Sequence, residues 1–573
     1  MEKIVVIGGV AAGPKAACHV KRLIPDAQVV MIDQDDLISY GGCGIPYLIG
    51  GEVSDEKALR STSYQMVRNE SFFEEAKGLE VMTGTRVTEI DRDKKVVHIE
   101  DVQTGKNGLV DYDKLVLATG SRPNRLPIPG NDLFGVFAIG SLHSAVNVQK
   151  WLAKEYIDKA VIIGGGAIGV EMAEAIEDMW GLDTSIVEFF PQLLPRTIEW
   201  SISRMLQHHL NENNIDVFTS ERVVELLGNE GGRVNGVVTD KRSLPADVVI
   251  MATGVKPRDE LAKEAGLLVS PNGGIIVNNR MQTSDPDIFA AGDCVEMLHL
   301  VSGKKTYAPF GSLANRQGRV VGDNLAGIPS TFEGVTGSFI MKAYDVCVGA
   351  TGLSLEAARA EGFDAEMVIT NQADRAHFLP TQSMISLAMI FDKTTRRVLG
   401  LQGFGAMGDS VAVRINAAVG MIAKGAVIED FSNLEMTYAP PFSTAVDALN
   451  ATANVADNLA RGKFRTVDLE KFIDWLTDPS THPDWIALDT RAAKDARPFC
   501  IRFGDRWQSI PYPEIRKRYQ ELPPGKQAII ICGAGTRSYE VQVVLDETKY
   551  NNSLVLGGGL ILLRRLGLDM LPD

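Results

Sequence analysis

The sequence predicts an α/β chain in four parts: two strand-turn-helix units, an α+β region and a terminal α/β domain. Three observations carry this. The run Ile4-Val5-Val6-Ile7 enters a glycine-rich turn, Gly8 to Gly13, and the pattern returns at Ala160-Val161-Ile162-Ile163 before Gly164 to Gly169. Each copy is followed by an apolar run closing on Ala-Thr-Gly, at Leu115 to Gly120 and at Val248 to Gly254. Short apolar runs bounded by glycines read as buried strands, and their recurrence as a set marks a duplicated unit.

In the first unit Gly8 permits the tight strand-to-helix turn and Gly13 lets helix and strand pack closely. The free N–H groups at the start of the helix are offered to a pyrophosphate. Val10 stands where this motif usually has its middle glycine. The next strand ends Val29-Val30-Met31-Ile32-Asp33, and an acid about 25 residues past the first glycine lies where adenosine ribose hydroxyls are held. The second unit is complete, with Gly164, Gly166 and Gly169 followed by Ser185-Ile186-Val187-Glu188. A carboxylate there accepts from the 2′- and 3′-hydroxyls and repels a 2′-phosphate, so Glu188 predicts NADH over NADPH.

From about Ser330 to Pro441 the strand-like runs Met384 to Phe391 and Val398 to Gln402, with a small-residue helix Val411 to Ala423, suggest the α+β region. Residues 451–463 read as a polar helix and linker ending Arg461-Gly462-Lys463. A last domain follows with strands at Trp485 to Leu488 and Ala528 to Ile531.

Composition limits the functions available. The 573 residues are 45% hydrophobic and carry a formal net charge of -15, which argues for several domains and against a general nucleic-acid binder. The cysteines are Cys18, Cys43, Cys294, Cys347, Cys500 and Cys532. None forms a CxxC pair or has metal-ligand spacing, so neither a disulfide framework nor a bound metal is expected, and a reducing, cytoplasmic setting fits. Gly8, Gly9 and Lys15 interrupt the first apolar run too early for a signal peptide. No stretch reaches the roughly 18 apolar residues of a membrane span.

Two cysteines have reactive surroundings. Cys43 lies in Ser39-Tyr40-Gly41-Gly42-Cys43-Gly44-Ile45-Pro46-Tyr47, where glycines allow close approach and a nearby helix start would favour a sulfur anion. The catalytic reading is preferred over buried packing. Cys532 follows the strand Ala528 to Ile531 and opens Gly533-Ala534-Gly535-Thr536-Arg537-Ser538. The backbone N–H groups of such a loop, with Arg537, form a cradle for a thiolate or persulfide anion. A phosphatase-like loop would want the HCx5R spacing, which this segment lacks. Lys15, His19 and Arg22 share one face of the first helix, which suits either an anion site or a solvated basic surface.

With Ile288-Phe289-Ala290-Ala291-Gly292-Asp293 added, the chain resembles the FAD/NAD-linked pyridine nucleotide-disulfide oxidoreductases over roughly its first 450 residues. By that resemblance Gly8, Val10, Ala11, Gly13, Asp33, Val87, Thr119, Gly120, Gly292 and Asp293 would hold FAD, with Asp293 on the ribityl chain. Gly164, Gly166, Ile168, Gly169, Glu188 and Gly254 would hold NADH. Glutathione-reductase-type members carry a second cysteine where this chain has Leu48. The segment instead resembles that of the single-cysteine coenzyme A disulfide and persulfide reductases, which implies that Cys43 cycles through a mixed disulfide or persulfide. Ser39, Gly42, Lys15, His19 and Arg22 would then contact the thiol substrate. Met436-Thr437-Tyr438-Ala439-Pro440-Pro441-Phe442-Ser443 is similar to the family segment that reaches the partner subunit's flavin, implying a homodimer in which Tyr438 protonates a departing thiolate. Phe378-Leu379-Pro380-Thr381 replaces the family's Tyr-Tyr-Pro-Gly, and Gly42 its asparagine, both where selectivity for the thiol is expected.

The Cys532 loop resembles the rhodanese active loop, Cys-x-x-Gly-x-Arg-Ser. Supporting matches are Ile486 to Arg491, Ile510-Pro511 and Leu556-Gly557-Gly558. Cys532 and Arg537 would be catalytic there, with Gly533, Ala534, Gly535 and Thr536 holding the sulfur anion. The fold class implied is two Rossmann-like FAD- and NAD-binding domains, an α+β dimerisation domain and a C-terminal α/β rhodanese domain. The expected limits are 1–112 with 280–329 for FAD, joined by 113–150; 151–279 for NAD; 330–450 for dimerisation; 451–463 as linker; and 464–573 for the rhodanese-like part. The function implied is NADH-dependent reduction of a persulfide, polysulfide or disulfide of a low-molecular-weight thiol, coenzyme A first, coupled to sulfur transfer. One alternative is an NADH oxidase or peroxidase cycling Cys43 through sulfenic acid, against which Ala11 stands where that branch has histidine. Another is a non-enzymatic sulfur-relay or redox-signalling protein.

Overall fold

The computed structural model describes residues 2–154, 156–548, 550–568 and 570–572. It divides into two units, Met1–Pro191 with Asn214–Val335, and Gln192–Asn213 with Thr336–Asp573.

The first unit holds two five-stranded sheets of parallel strands. One runs Ile288–Ala290, Lys114–Leu117, Lys3–Ile7, Gln28–Ile32, Glu80–Met82, and the other Ile215–Phe218, Asp183–Val187, Lys159–Ile163, Val248–Met251, Val136–Ala138. The central strands are buried almost completely, as strands covered on both faces must be. Each sheet has its own three-stranded antiparallel companion, Thr85–Asp91 with Val96–Asp101 and Asn107–Asp111, and Val223–Gly228 with Val234–Thr239 and Ser243–Pro245. The duplication legible in the glycine turns thus extends to whole subdomains. The two Ala-Thr-Gly ends are joined by an antiparallel ribbon, Ser121–Pro123 with Val255–Pro257.

In the second unit the strands run Phe339–Ala343, Val346–Gly352, Val398–Ala406, Met384–Asp392, Ala365–Ala373 in one antiparallel sheet. Helices Asp409–Ala423 and Ala448–Ala460 pack on it. The second of these corrects the expected linker at 451–463. Asp447 caps the helix by accepting from the Leu449 N–H at 2.9 Å, and Leu449, Thr452, Ala453 and Ala456 are buried. The Thr452 hydroxyl meets that of Thr370 at 2.7 Å. Only the turn at 461–463 connects. The C-terminal strands Trp507–Ser509, Trp485–Asp489, Gln527–Ile531 and Ser553–Val555 form a parallel sheet.

Candidate functional site

The two glycine turns are built alike and for a steric reason. Gly8 and Gly164 have φ of 113° and 109°, and a Cβ on either would stand 2.0 or 2.5 Å from the carbonyl oxygen of Ala118 or Ala252. On Gly13 or Gly169 it would meet the oxygen of Gly8 or Gly164 at 1.8 or 1.9 Å. No side chain fits at any of the four. The helices Ala12–Leu23 and Ala167–Trp180 both start without a side-chain cap or an acid in the first turn, which leaves their N–H groups for a ligand's phosphates.

The acids fall in matching places. Asp33 accepts from the N–H groups of Gly9 at 2.5 Å and Asp35 at 2.8 Å, and Glu188 from those of Gly165 at 2.6 Å and Phe190 at 2.7 Å. Burial pushes the Asp33 carboxyl up against the pull of those N–H groups. Asp293 is also pushed up by burial, opposed by the Ser121 hydroxyl at 3.3 Å. A desolvated acid with so little support is suited to a polyol chain, and a Cβ on Gly120 would meet nothing within 4 Å. These residues fit FAD in the first subdomain and a nicotinamide dinucleotide in the second.

Around them Gly292 donates its N–H to the buried Gln317 at 2.7 Å, and Thr119 donates its hydroxyl to the Arg258 carbonyl at 2.6 Å. Gly254 lies on the connecting ribbon's approach, accepting from the Asn124 N–H. Val87 packs its side chain into the core, so its main chain is what remains for a ligand. Ile168 is exposed beside the second glycine turn.

Cys43 is exposed on a short turn, Gly42–Gly44, that leads into the helix Ile45–Ile49. Its sulfur lies 3.6 Å from where a Cβ on Gly311 would be. Gly311 begins the helix Gly311–Leu325, which has neither a side-chain cap nor an acid in its first turn. The sequence predicts a helix start near Cys43, but not that this one is supplied from far along the chain. Burial pushes the Cys18, Cys294 and Cys500 thiols up, and that of Cys347 to about 11. Leu48 is fully buried. Ser39 is buried at φ 51° and donates its N–H to the Gly9 carbonyl at 2.7 Å, while Gly42 is exposed. His143 ties the same loop down through Asp35 at 2.8 Å and Asp36 at 2.6 Å.

The basic face of the first helix is divided. His19 is buried and bonded to Asp323 at 2.6 Å through Nε2, with Arg22 at 3.3 Å from Nδ1. The expectation that His19 faces a ligand is corrected: packing against the Gly311–Leu325 helix supplies its partner. Lys15 and the exposed Arg22 retain that capacity.

In the second unit Tyr438 and Phe442 are exposed on a segment fixed by the Ser443 hydroxyl to Asp447 at 2.6 Å and by Pro440, whose carbonyl accepts from the Ala376 N–H. Phe378 is exposed as well. Cys532 sits at the end of the strand Gln527–Ile531, with the Gly535 N–H on its sulfur at 3.1 Å. Ala534 and Thr536 complete the loop, and the Arg537 guanidinium lies 3.7 Å from where a Cβ on Gly533 would be. Asp489, fully buried, is paired with Arg491 at 2.7 Å and accepts from the Trp507 indole, so the Asp-Thr-Arg match serves structure.

Comparison with known proteins identifies the family. Residues 2–315 match the pyridine nucleotide-disulphide oxidoreductases and 340–449 the dimerisation domain of the same family, and the chain belongs to that family. It is an FAD-dependent NAD(P)H oxidoreductase of the coenzyme A persulfide reductase type. An NAD-dependent persulfide reductase from A. fulgidus is 36% identical, with a TM-score of 0.91 over 98% of this chain and 99% of that one. The reduced Bacillus anthracis CoADR-RHD is 28% identical, with a TM-score of 0.89 over 99% and 98%. A Methanocaldococcus jannaschii protein named NADH oxidase is 35% identical over 79% of this chain and 98% of its own. The two solved structures extend through the C-terminal sheet, giving it a CoADR-RHD counterpart. No helix among the described residues is long and apolar enough to cross a membrane.

Proposed function

We propose that the chain uses NADH to reduce the sulfane sulfur of a low-molecular-weight thiol persulfide, with coenzyme A as the first-choice thiol, through the thiolate of Cys43. The observation that carries this is the exposed Cys43 sulfur at the uncapped start of the Gly311–Leu325 helix, with buried Leu48 where a disulfide partner would be needed. A positive helix end stabilises a sulfur anion.

Cys43 attacks the outer sulfur of R–S–SH. The substrate's S–S bond breaks as the new one to Cys43 forms, R–S⁻ leaves and takes a proton, for which Tyr438 of a partner copy is the donor assigned, and Cys43 becomes a persulfide. An electron pair originating in NADH then breaks the new S–S bond, releasing HS⁻ and restoring the Cys43 thiolate. The net reaction is R–S–SH + NADH + H⁺ → R–SH + H₂S + NAD⁺. Bound FAD supplies the chemistry of accepting a hydride and giving up electrons. Asp293 holds its ribityl chain, and Asp33 and Glu188 hold the two adenosine riboses. Lys15 and Arg22 supply cations for the phosphates of coenzyme A. Exposed Tyr438 and Phe442 on one pinned segment support a homodimer completed across that surface. Cys532 carries sulfane sulfur between a donor and the thiol that serves Cys43.

Stopped-flow reoxidation tests this. NADH-reduced enzyme is expected to be reoxidised by coenzyme A persulfide, and Cys43→Ser to end that phase while NADH still bleaches the flavin. Reoxidation at the wild-type rate in Cys43→Ser would remove Cys43 from the chemistry.

A second reading is an NADH oxidase, favoured by the 35% identity to the protein of that name. Ala11 at the first glycine turn, where that branch carries histidine, weighs against it. Oxygen or peroxide turnover exceeding persulfide turnover at equal enzyme concentration would make it the better reading.

A further inference from the structure

The Cys532 loop is held by a short helix of its own domain, and that helix is anchored outside it. The loop's first two carbonyls, those of Cys532 and Gly533, accept from the N–H groups of Leu560 and Ile561, each at 3.0 Å. Those two donors belong to the first turn of the helix Gly559–Arg565, where N–H groups have no partner within the helix. A helix of seven residues does not hold its own place or even its own shape in water. Its position must come from what it is attached to.

Its attachments lead into the dimerisation domain. At its start, the Gly558 carbonyl accepts from the Asn371 side chain at 2.7 Å. At its end, Arg565 donates to the Ser386 hydroxyl at 2.7 Å and to the Met384 carbonyl at 2.6 Å. The Ser386 hydroxyl in turn donates to Asn371 at 2.5 Å, which closes the circuit between the two ends of the helix. Asn371 and Ser386 are 1% and 0% exposed, so these bonds are made without competing water. Beyond the helix, Arg204 donates to the Leu566 carbonyl at 3.2 Å. The guanidinium of Arg565 thus has neutral partners, and burial draws it down from the usual arginine value. Such a placement carries a desolvation cost that its hydrogen bonds must offset.

We propose that Asn371, Ser386 and Arg565 are positioning residues for the sulfur-carrying loop: through the Gly559–Arg565 helix they hold the carbonyls of Cys532 and Gly533, so that the Gly535 N–H points at the sulfur. The dimerisation-domain strands Ala365–Ala373 and Met384–Asp392 therefore form part of the sulfurtransferase centre, and the terminal domain is not a freely tethered module. This rests on the reading of Cys532 as a sulfur carrier.

The test uses the full-length FAD-loaded enzyme with Arg565→Met, Arg565→Lys and the milder Ser386→Ala, which removes only the bridging hydroxyl and serves if Arg565→Met does not fold. Sulfur transfer from thiosulfate to cyanide is measured beside hydrogen exchange of the peptide spanning 532–538. Arg565→Met is expected to lower kcat about tenfold, the size of a lost hydrogen bond from a charged donor. KM for thiosulfate should stay within about twofold, because the cradle acts on the developing sulfur anion. The loop amides should lose protection, Arg565→Lys should recover part of both, and NADH-driven flavin bleaching should keep its rate. Wild-type kcat and wild-type protection in Arg565→Met would overturn the proposal while leaving Cys532 as sulfur carrier. If the wild-type enzyme transfers no sulfur through Cys532 but Arg565→Met still loses loop protection, the carrier reading falls and the positioning stands.

Discussion

The sulfur of Cys43 stands 3.6 Å from the point that a Cβ on Gly311 would occupy, so these two residues, far apart in sequence, share one wall of the reductase site. At 3.6 Å an alanine methyl is in ordinary contact with the sulfur and adds nothing that must move. A valine at the same place projects two further methyls across the sulfur's face. Gly311→Ala is expected to keep persulfide-driven reoxidation within about twofold, and Gly311→Val to slow it about tenfold, because its methyls crowd the approach of substrate to the sulfur. Flavin content should be unchanged in both. Equal rates in the two variants would show that the face toward Gly311 is not the one substrate uses.

Glu188 holds the second glycine turn through the Gly165 and Phe190 N–H groups, and its charge is what would exclude a 2′-phosphate. Glu188→Gln keeps a hydrogen-bond acceptor but discharges the group. NADH is expected to lose about tenfold in kcat/KM, NADPH to lose less or gain, and the ratio of the two coenzymes to fall. Steady-state kinetics with both coenzymes measures it. An unchanged ratio would move the discrimination elsewhere on the surface.

The parts legible in the sequence are those whose causes are local. Gly8, Gly13, Gly164 and Gly169 are required by backbone contacts inside one strand-turn-helix unit, so spacing alone reveals them. Cys43 and Cys532 stand out for the same reason, each in a glycine-rich run. What escaped comes from tertiary contact. Nothing near Cys43 in the sequence announces the Gly311–Leu325 helix, and nothing beside His19 announces Asp323. The helix Ala448–Ala460 reads partly as a linker because, Leu449 apart, its buried face is alanine and threonine, which pack closely on a sheet without marking an apolar stripe. Arg565 and Asn371 are likewise ordinary polar residues until the fold brings them together across Ser386.

Asp293 gives a pH dependence with a definite sign. Burial raises its carboxyl above the ordinary aspartate value of 3.8, so the folded apoprotein binds this proton more tightly than the unfolded chain does. The stability from this group is complete below the unfolded value and is lost as pH rises through the folded one. In flavin-free protein at neutral pH, Asp293→Asn removes that penalty and is expected to raise Tm by about 1–3 °C, with no gain at pH 3. The same variant should release FAD more readily, since an amide is a poorer acceptor for ribityl hydroxyls than a carboxylate. Thermal melts of apoprotein at both pH values, with flavin retention on gel filtration, check the pair. A lower Tm at neutral pH would mean that the carboxylate is supported by more than the Ser121 hydroxyl.

Gly166 offers the cleanest separation of fold from ligand. Unlike Gly164 and Gly169, which touch backbone oxygens, it has φ of -73°, and a Cβ added to it would meet nothing within 4 Å. Alanine fits that backbone without strain, so protein chemistry alone gives no reason for glycine there. The reason must be a ligand that passes close over the turn, as a pyrophosphate does at an uncapped helix start. Gly166→Ala is therefore expected to leave Tm and flavin content unchanged and to raise KM for NADH by about tenfold or more, with dithionite-reduced enzyme still reoxidised by persulfide at the wild-type rate. If KM for NADH stays at its wild-type value, the coenzyme does not lie over this turn, and Glu188 would no longer be placed to read its ribose.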